Sequence, residues 1–460
     1  MTIFGSIESG RSALKAQLKG MAVSGQNVAN ANTPGYSRQR VEMAPLVPAL
    51  APGFSLIPGY GVEITTIARV RSEFYHAQAI SSGSHHAYWE MRLEAFGGAE
   101  VIFMEPGENG LGGYLNDFFD IWQELSSSPE SAAVRTSLRE QAVSFTDAVR
   151  NIHLRLTDLQ IEMKNELGRR VEELNQLAAE AAELNEQIIY AGALGEKPNA
   201  LLDRLDLVLE QLSGLVDISV YRKESGTVEI LAGGRLLVQE RQHYALALQE
   251  GDGGPKLVSS RGVPLELLSG RVKGLLEGIN QVIPRLQREL NDQVTCLVEE
   301  LNELHRRGYG LDGESGRDFF APIDDGAVPA ALQFSLNRAI LDDVTLIAAA
   351  TSPGEPGNGE NSLSIARLRS EKIMDGGSIS LMDSYRGMIS GLGVEGRESE
   401  RMAGAFREAA AQLWARHESV TGVNLDEEAL NMIQFGHAWQ AAANFIGHLD
   451  RMLETLFREL

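Results

Sequence analysis

The sequence predicts a mainly α-helical fold with an inserted β-domain, in which long coiled-coil-like helices are built from both the N- and C-terminal parts. Three observations predict it. Apolar residues recur every seven positions at both chain ends, two long internal tracts repeat a helical spacing, and the stretch 216–267 switches to short runs separated by glycine turns. The expected organisation is a terminal helical assembly domain (1–45 and 420–460), a discontinuous helical-rich domain (46–215 and 269–419) and a small antiparallel β-domain (216–268).

At the N-terminus, Ile7, Leu14, Met21 and Val28 are spaced by seven, with Phe4 and Leu18 on the same stripe. Gly5, Gly10, Gly20 and Gly25 interrupt it, and each costs about 1 kcal/mol against Ala in a helix. This segment is therefore expected to need a partner in order to fold. The C-terminus carries a stronger seam: Met432, Trp439, Ile446, Leu453 and Leu460 repeat every seven residues, and Phe435, Ala442, Leu449 and Leu456 follow three residues after each of the first four. Burying one such large side chain is worth roughly 1.5–3 kcal/mol, so the seam is expected to meet another surface. Asn424 ahead of Asp426 and Glu427 marks the helix start, with a capping amide and carboxylates at the positive end of the dipole.

Between the ends, Leu138, Ala142, Phe145, Val149, Ile152, Leu156, Leu159 and Met163 form one apolar run. After a skip it continues through Leu167, Val171, Leu174, Ala181, Leu184 and Ile188. A second tract joins Val272, Ile279, Ile283, Leu286, Leu290, Val294, Leu297, Leu301 and Leu304, with Pro284 expected to kink the helix or mark its start. The β-runs are 216–221, 227–231, 236–238, 244–248 and 257–259, with turns at Gly226, Gly233–Gly234, 251–255 and Gly262.

A net charge of -22 opposes binding by phosphate neutralisation, and the cations are scattered, so neither nucleic acid nor a membrane surface is an expected partner. The single cysteine, Cys296, falls in an apolar helical pattern and reads as a core thiol. Gly308–Gly313 and Gly391–Gly396 match GxGxxG in letters, but both follow helical patterns rather than a strand, so turns in loops are the expectation and no cofactor is expected. His85–His86 is expected at exposed positions, and 312–318 is expected to be a turn rather than a calcium loop. No nucleophile–base pair, P-loop or metal-ligand spacing appears, so the chain is not expected to be an enzyme.

The stretch Asn27-Val-Ala-Asn-Ala-Asn-Thr-Pro-Gly-Tyr-Ser-Arg-Gln39 closely resembles the N-terminal signature of flagellar rod, hook and hook-associated proteins. Pro34 and Gly35 suit the central positions of a type II turn that ends the helix and redirects the chain at Tyr36, with helix capping and turn chemistry the reading for Asn32. Asn27 and Asn30 share a helical face and are expected to offer their amides to neighbouring subunits. The tail, Val423-Asn-Leu-Asp-Glu-Glu-Ala429 and Trp439-Gln-Ala-Ala-Ala-Asn444, resembles that of the hook-associated protein 1 family. So do Asn199-Ala-Leu-Leu-Asp-Arg204, Gly308–Gly313 and Asp318-Phe-Phe320, in the same order. Family members often carry a further β-rich domain after the Phe-Phe motif, whereas here only 321–377 precedes the returning helices.

The resemblance implies a secreted structural subunit at the hook–filament junction, exported through the flagellar type III apparatus. Its implied partners are copies of itself, hook protein, hook-associated protein 3 and an export chaperone at the C-terminal helix. The residues expected in these contacts are Ile7, Leu14, Leu18, Met21, Asn27, Asn30, Met432, Phe435, Trp439, Ile446, Leu449, Leu453 and Leu456. Another axial flagellar protein, such as hook-associated protein 3 or a hook subunit, is the alternative; from other classes come a helical enzyme and a cytoplasmic coiled-coil adaptor.

Overall fold

A computed structural model describes residues 3–46, 61–105, 107, 110–195, 197–324, 326 and 328–459. The side chain of Phe4 and all of Leu460, both assigned to the terminal stripes, lie outside the described residues. Helix α1 (Ile3–Ala29) leads into an antiparallel hairpin of β1 (Gln39–Pro45) and β2 (Val62–Arg69). Four helices follow: α2 (Glu73–Phe103), α3 (Leu111–Ser127), α4 (Ala132–Ala193) and α5 (Asn199–Leu215).

The two apolar runs separated by a skip form one uninterrupted helix, α4, of 62 residues, about 93 Å long at 1.5 Å per residue. Its buried face carries both runs, from Leu138 through Leu156 and Met163 to Ile188. The second tract is also continuous, but not uniformly α-helical. α6 (Arg271–Glu277) passes through a π-helical turn at Gly278–Val282 into α7 (Ile283–Arg307). Pro284 sits in the first turn of α7, where its missing N–H costs little. The wider turn before it takes up the change in hydrogen-bonding pattern.

Inserted between α5 and α6 are six short strands: β3 (Ile218–Arg222), β4 (Val228–Ala232), β5 (Arg235–Gln239), β6 (Gln242–His243), β7 (Ala247–Gly251) and β8 (Gly254–Val258). The first four form one antiparallel sheet and the last two a separate hairpin. The expected β-region is thus present, with Val228, Ile230, Ala232 and Val238 buried toward the helices. Beyond α7 come α8 (Ala330–Gln333), α9 (Arg338–Asp342), α10 (Glu360–Arg367) and the strand pair β9 (Lys372–Met374) and β10 (Ile379–Ser380). The chain then returns as α11 (Leu381–Thr421), packed along α2, and ends in α12 (Leu425–Glu459), packed along α1.

Two expectations are corrected here. Gly391–Gly396 is no loop: it lies inside α11, where Gly396 faces Phe96 and Glu100 of α2 at a distance that suits a small residue. His85 and His86 are half-buried, with His85 stacked on Phe406 at 4.9 Å and His86 Nδ1 3.1 Å from the carbonyl of Ala403. Both rings help seat α11 on α2. The 308–313 loop does turn as expected, and Asp312 accepts from the Glu314 N–H and pairs with Arg317. Cys296 is half-buried beside the Ile373 carbonyl, and burial pushes its thiol up to about 11.

One device recurs at several places where extended chain meets helix. A helix-borne asparagine pairs its amide with the N–H and C=O of a single residue, as a neighbouring strand would. Asn175 holds Leu246 at 2.8 and 2.9 Å, Asn185 holds Val228 at 2.9 and 2.8 Å, and Asn302 holds Phe320 at 2.9 and 3.0 Å. Since an unmatched buried peptide group costs about 1–3 kcal/mol, each amide removes a penalty that an apolar side chain would leave. Asn302 thereby docks Phe319 and Phe320 into an aromatic cluster with Phe118, Trp122 and Phe334. Arg135, also buried, donates to the carbonyls of Pro129 and Ile347 at 2.8 and 2.7 Å, tying 344–347 to α4.

Asn185→Leu is expected to destabilise the chain by about 2–4 kcal/mol, because both Val228 groups lose their partner. Urea denaturation followed by circular dichroism measures this, and a shift under 0.5 kcal/mol, on the order of an exposed surface change, would contradict it.

His305 yields a pH prediction. Its Nε2 accepts from the Ala348 N–H at 2.9 Å, so the proton resides on Nδ1, facing the Arg317 carbonyl at 2.8 Å. Burial lowers its pKa from 6.5 to about 4, and a second proton on Nε2 would also break the Ala348 bond. A depressed folded pKa means stability is complete above the unfolded value and declines as pH falls toward the folded one. His305→Phe is therefore expected to remove about 2 kcal/mol of the stability lost between about pH 7 and about pH 5. Denaturant midpoints of both proteins at the two pH values check this.

Candidate assembly interface

α1 and α12 run antiparallel. Gly10 lies beside Ile446 and Phe445, and Gly20 beside Phe435: a Cβ at either glycine would stand 2.7 Å from a partner side-chain atom. Gly10 and Gly20, two of the helix-weakening glycines, are thus points of close approach, which the heptad reading did not recognise. Gly25, by contrast, has nothing within 4 Å. The fully buried positions of α1 are Gly10, Ala16, Gly20, Val23, Ser24 and Asn27, all small or polar except Val23.

The larger residues expected to make contacts are only partly covered. Ile7, Leu14 and Met21 are half-buried, with Met21 Sδ 3.9 Å from where a Gly436 Cβ would stand. Leu18 is 58% exposed. On α12, Phe435, Ala442, Ile446, Leu449 and Leu453 are half-buried, whereas Met432, Trp439 and Leu456 are exposed. Outside the expected seam, Leu430, Ile433 and Met452 are 59%, 56% and 61% exposed, and Phe445 is also open. One narrow helix lined with glycine does not cover the apolar circumference of α12.

The base of the hairpin is polar and closely determined. Thr33 to Tyr36 forms the expected turn: the Tyr36 N–H donates to the Thr33 carbonyl at 3.1 Å, and Gly35 has a φ of 76°. At that φ a side chain is strained, and a Cβ would also press on Leu207 of α5 at 2.6 Å. Asn32 and Pro34 are exposed on this turn.

Asn27 contradicts the expectation of a bridge to a neighbouring subunit. It is 1% exposed and fully engaged within its own chain. Its Oδ1 accepts from the Gln39 N–H at 3.0 Å and the Tyr36 hydroxyl at 2.8 Å, while its Nδ2 donates to the Gln39 carbonyl at 2.9 Å. This is the fourth instance of an asparagine standing in for a strand. Asn30 is likewise used locally, donating to the Gln26 carbonyl at 3.0 Å and accepting from the Thr33 hydroxyl at 3.3 Å.

Around this turn three distant parts of the sequence meet. Arg38 binds Glu427 and Glu428 in the first turn of α12, each at 2.7 Å, and its N–H donates to the Thr421 carbonyl at the end of α11. On the other side, Asp203 of α5 accepts from the Ser37 N–H at 3.3 Å and from Arg69 at 2.8 Å. Asp206 takes Arg69 at 2.9 Å, Arg222 at 2.7 Å and Arg71. Burial alone would raise Asp206, but these guanidiniums hold it down at about 2. Burial, with Asp203 and Glu428 nearby, pushes the Tyr36 hydroxyl up to about 12, so it remains a donor to Asn27. Asn199 donates to Gln39 and to the Ile67 carbonyl, at 3.2 and 3.0 Å. Asn424 caps α12 as expected, accepting from the Asp426 and Glu427 N–H groups at 3.0 and 3.3 Å.

Sequence reasoning missed Arg38, Arg69, Asp203 and Asp206 as one network. Glu427 and Glu428 were legible only as dipole carboxylates, and Asp203 only through the 199–204 resemblance. Among the described residues no group of three His, Cys, Asp or Glu is placed to hold a metal, and no helix is long and apolar enough to cross a membrane.

Comparison with known proteins follows the same geography. Residues 97–320, covering α3 to α7 and the β-region, match the family model of the flagellar hook-associated protein FlgK helical domain. Residues 7–36, the hairpin's first helix and turn, match that of the flagella basal body rod protein. Over 98% of this chain and 97% of the relative, the sequence is 29% identical to flagellar hook-associated protein 1 of Bacillus subtilis. It is 22% identical to that of Escherichia coli over 98% of both chains. The fold is similar to the solved structure of the flagellar hook junction protein FlgK from Burkholderia pseudomallei, with a TM-score of 0.67 and 15% identity, covering 75% of this chain and 100% of that one. The end-to-end match, the helical-domain model and the shared fold agree: over 98% of its length the chain is similar to flagellar hook-associated protein 1.

Proposed function

We propose that this chain is a structural subunit of the bacterial flagellum that forms the junction between hook and filament, assembling through its paired terminal helices. The observation that carries the reading is the row of large apolar side chains on α12 that α1 leaves open, among them Leu430, Ile433, Trp439, Phe445, Met452 and Leu456. Covering each fully is worth up to roughly 1.5–3 kcal/mol, and a neighbouring terminal helix is the surface of matching shape. The rod-protein match over 7–36 is common ground with other axial proteins, whereas the helical-domain match over 97–320 favours the junction over hook or hook-associated protein 3.

In this reading the terminal part (1–45 and 420–460) lies inside the assembly. The remaining helices form the wall, with the β-region at 216–268 on its outside. The chain is secreted through the flagellar export apparatus, with the C-terminal helix held by a chaperone beforehand, and it meets copies of itself, hook protein and hook-associated protein 3. The short 321–377 segment stands where many family members carry a further β-rich domain, and it leaves a reduced outer surface. We assign no catalytic role, cofactor or metal.

Changing Leu449 and Leu453 together to Asp is expected to abolish filament attachment and chaperone capture, because two buried-on-assembly side chains become charged. Electron microscopy is expected to show bare hooks with unpolymerised filament protein in the medium, while circular dichroism of the purified variant still reports a folded α4 core. Swimming cells with normal filaments would overturn the proposal.

A further inference from the structure

The first and last helices carry charges that find no partner on the helix facing them. Although the chain is strongly acidic, α1 presents Glu8, Arg11 and Lys15 at i, i+3 and i+7, on one exposed face. Opposite them in the hairpin stands the stretch 429–449, which contains no Asp, Glu, Lys or Arg. Lys15 forms no ion pair among the described residues, and Arg11 reaches only Glu8, at 3.7 Å, with both side chains more than half exposed. Beyond 429–449, α12 carries Asp450, Arg451, Glu454 and Arg458. Asp450, Glu454 and Arg458 are spaced by four on one exposed face and are not ion-paired among the described residues, while Arg451, one step round the helix, donates to the Gly447 carbonyl at 3.2 Å and lies 3.0 Å from His448 Nδ1.

The order of these charges is complementary when the helices run antiparallel. Along the 8/11/15 face of α1 it reads negative, positive, positive; along the 450/454/458 face of α12, read backwards from Arg458, it is positive, negative, negative. Within one chain the two triplets are out of step: Gly10 lies beside Ile446 and Gly20 beside Phe435, which places Lys15 level with 440–441 rather than 450. Sliding one helix by nine to ten residues, about 14 Å at 1.5 Å per residue, brings all three into step. The same slide sets Leu18, 58% exposed, opposite Gly447, where an added Cβ would have nothing within 4 Å.

We propose that α1 of one copy docks antiparallel on α12 of a neighbouring copy, displaced by about 14 Å along the axis, pairing Lys15 with Asp450, Arg11 with Glu454 and Glu8 with Arg458, with Leu18 seated over Gly447. This rests on the assembly reading above and specifies its register. The occupant is a second copy because this chain supplies both halves of the pattern. Since the two halves lie on different helices at different heights, the contact is head-to-tail and propagates instead of closing a pair.

The test is a charge swap in full-length chains, produced in cells with no other copy of the gene. Arg11→Glu with Lys15→Glu is expected to lower the fraction of cells bearing filaments by about tenfold or more, as is Asp450→Lys with Glu454→Lys, since like charges then face each other. All four changes together are expected to restore filaments. All the changed residues are exposed, so each variant is expected to keep the parent's circular dichroism.

A second measurement places Lys15→Cys and Asp450→Cys in a Cys296→Ser background. Within one chain the two positions are offset by about 14 Å along the axis, beyond the roughly 7 Å Cα separation a disulfide tolerates. A ladder of linked copies from detached flagella supports the proposal. Failure of the fourfold swap to restore filaments, or the absence of a ladder from assembled flagella, overturns it. If the Leu449 and Leu453 aspartate variant assembled normally, the underlying assembly reading would fail instead, so the two failures are distinguishable.

Discussion

The close approach of α1 to α12 at Gly10 and Gly20 determines what the rest of the molecule presents to its surroundings. Two helices lined with large residues would separate by another ångström or more and cover much of each other. Here one helix contributes almost no side-chain volume at its closest contacts, so it lies near α12 without wrapping it. Phe435 and Ile446 gain a snug partner, while Leu430, Ile433 and Met452 stay open. The hairpin has a defined internal register and an unfilled apolar exterior, which suits a part that is finished by its neighbours.

That hairpin would be of little use without a fixed direction relative to the body, and the polar base provides it. Arg38 grips the first turn of α12 while the chain around it is tied to Asp203 of α5 and to the end of α11. Most of these contacts are charge-assisted and part-buried, the circumstance in which ion pairs resist screening and hold geometry. The same solution to a different problem appears in the four asparagines that mimic a strand. Asn27, Asn175, Asn185 and Asn302 each satisfy both peptide groups of a passing residue, so extended chain lies against helices without a sheet to complete it.

Much of the architecture was legible because helical periodicity is a direct record of burial. The apolar runs from Leu138 to Ile188 and from Val272 to Leu301 mark faces that are buried in the structure, and the glycine-punctuated stretch 216–267 is the β-region. The run was expected to continue across the skip between Met163 and Leu167, and α4 runs through it unbroken, since a helix packed on several neighbours need not keep one seam straight. Gly10 and Gly20 were read for their cost within a helix and Gly396 as part of a loop turn, whereas at all three positions the value of glycine lies in what approaches it. Asn27 was assigned outward because its spacing to Asn30 suggested a shared face; nothing local revealed that Gln39 folds back onto it. The arginine–aspartate network joins residues 38, 69, 71, 203, 206, 222 and 427–428, and such long-range pairings leave no periodic trace.

The central claim is that the apolar exterior of the terminal hairpin is covered only in the assembled junction. Hydrogen–deuterium exchange on the full-length chain, free in dilute solution and within detached flagella, tests it most directly. The account predicts that amides of 429–449 exchange through frequent local opening in the free chain, far faster than those of α4, and become as protected as α4 on assembly. Equal, strong protection of that stretch in both states would mean that the hairpin is complete by itself, and the claim would fail.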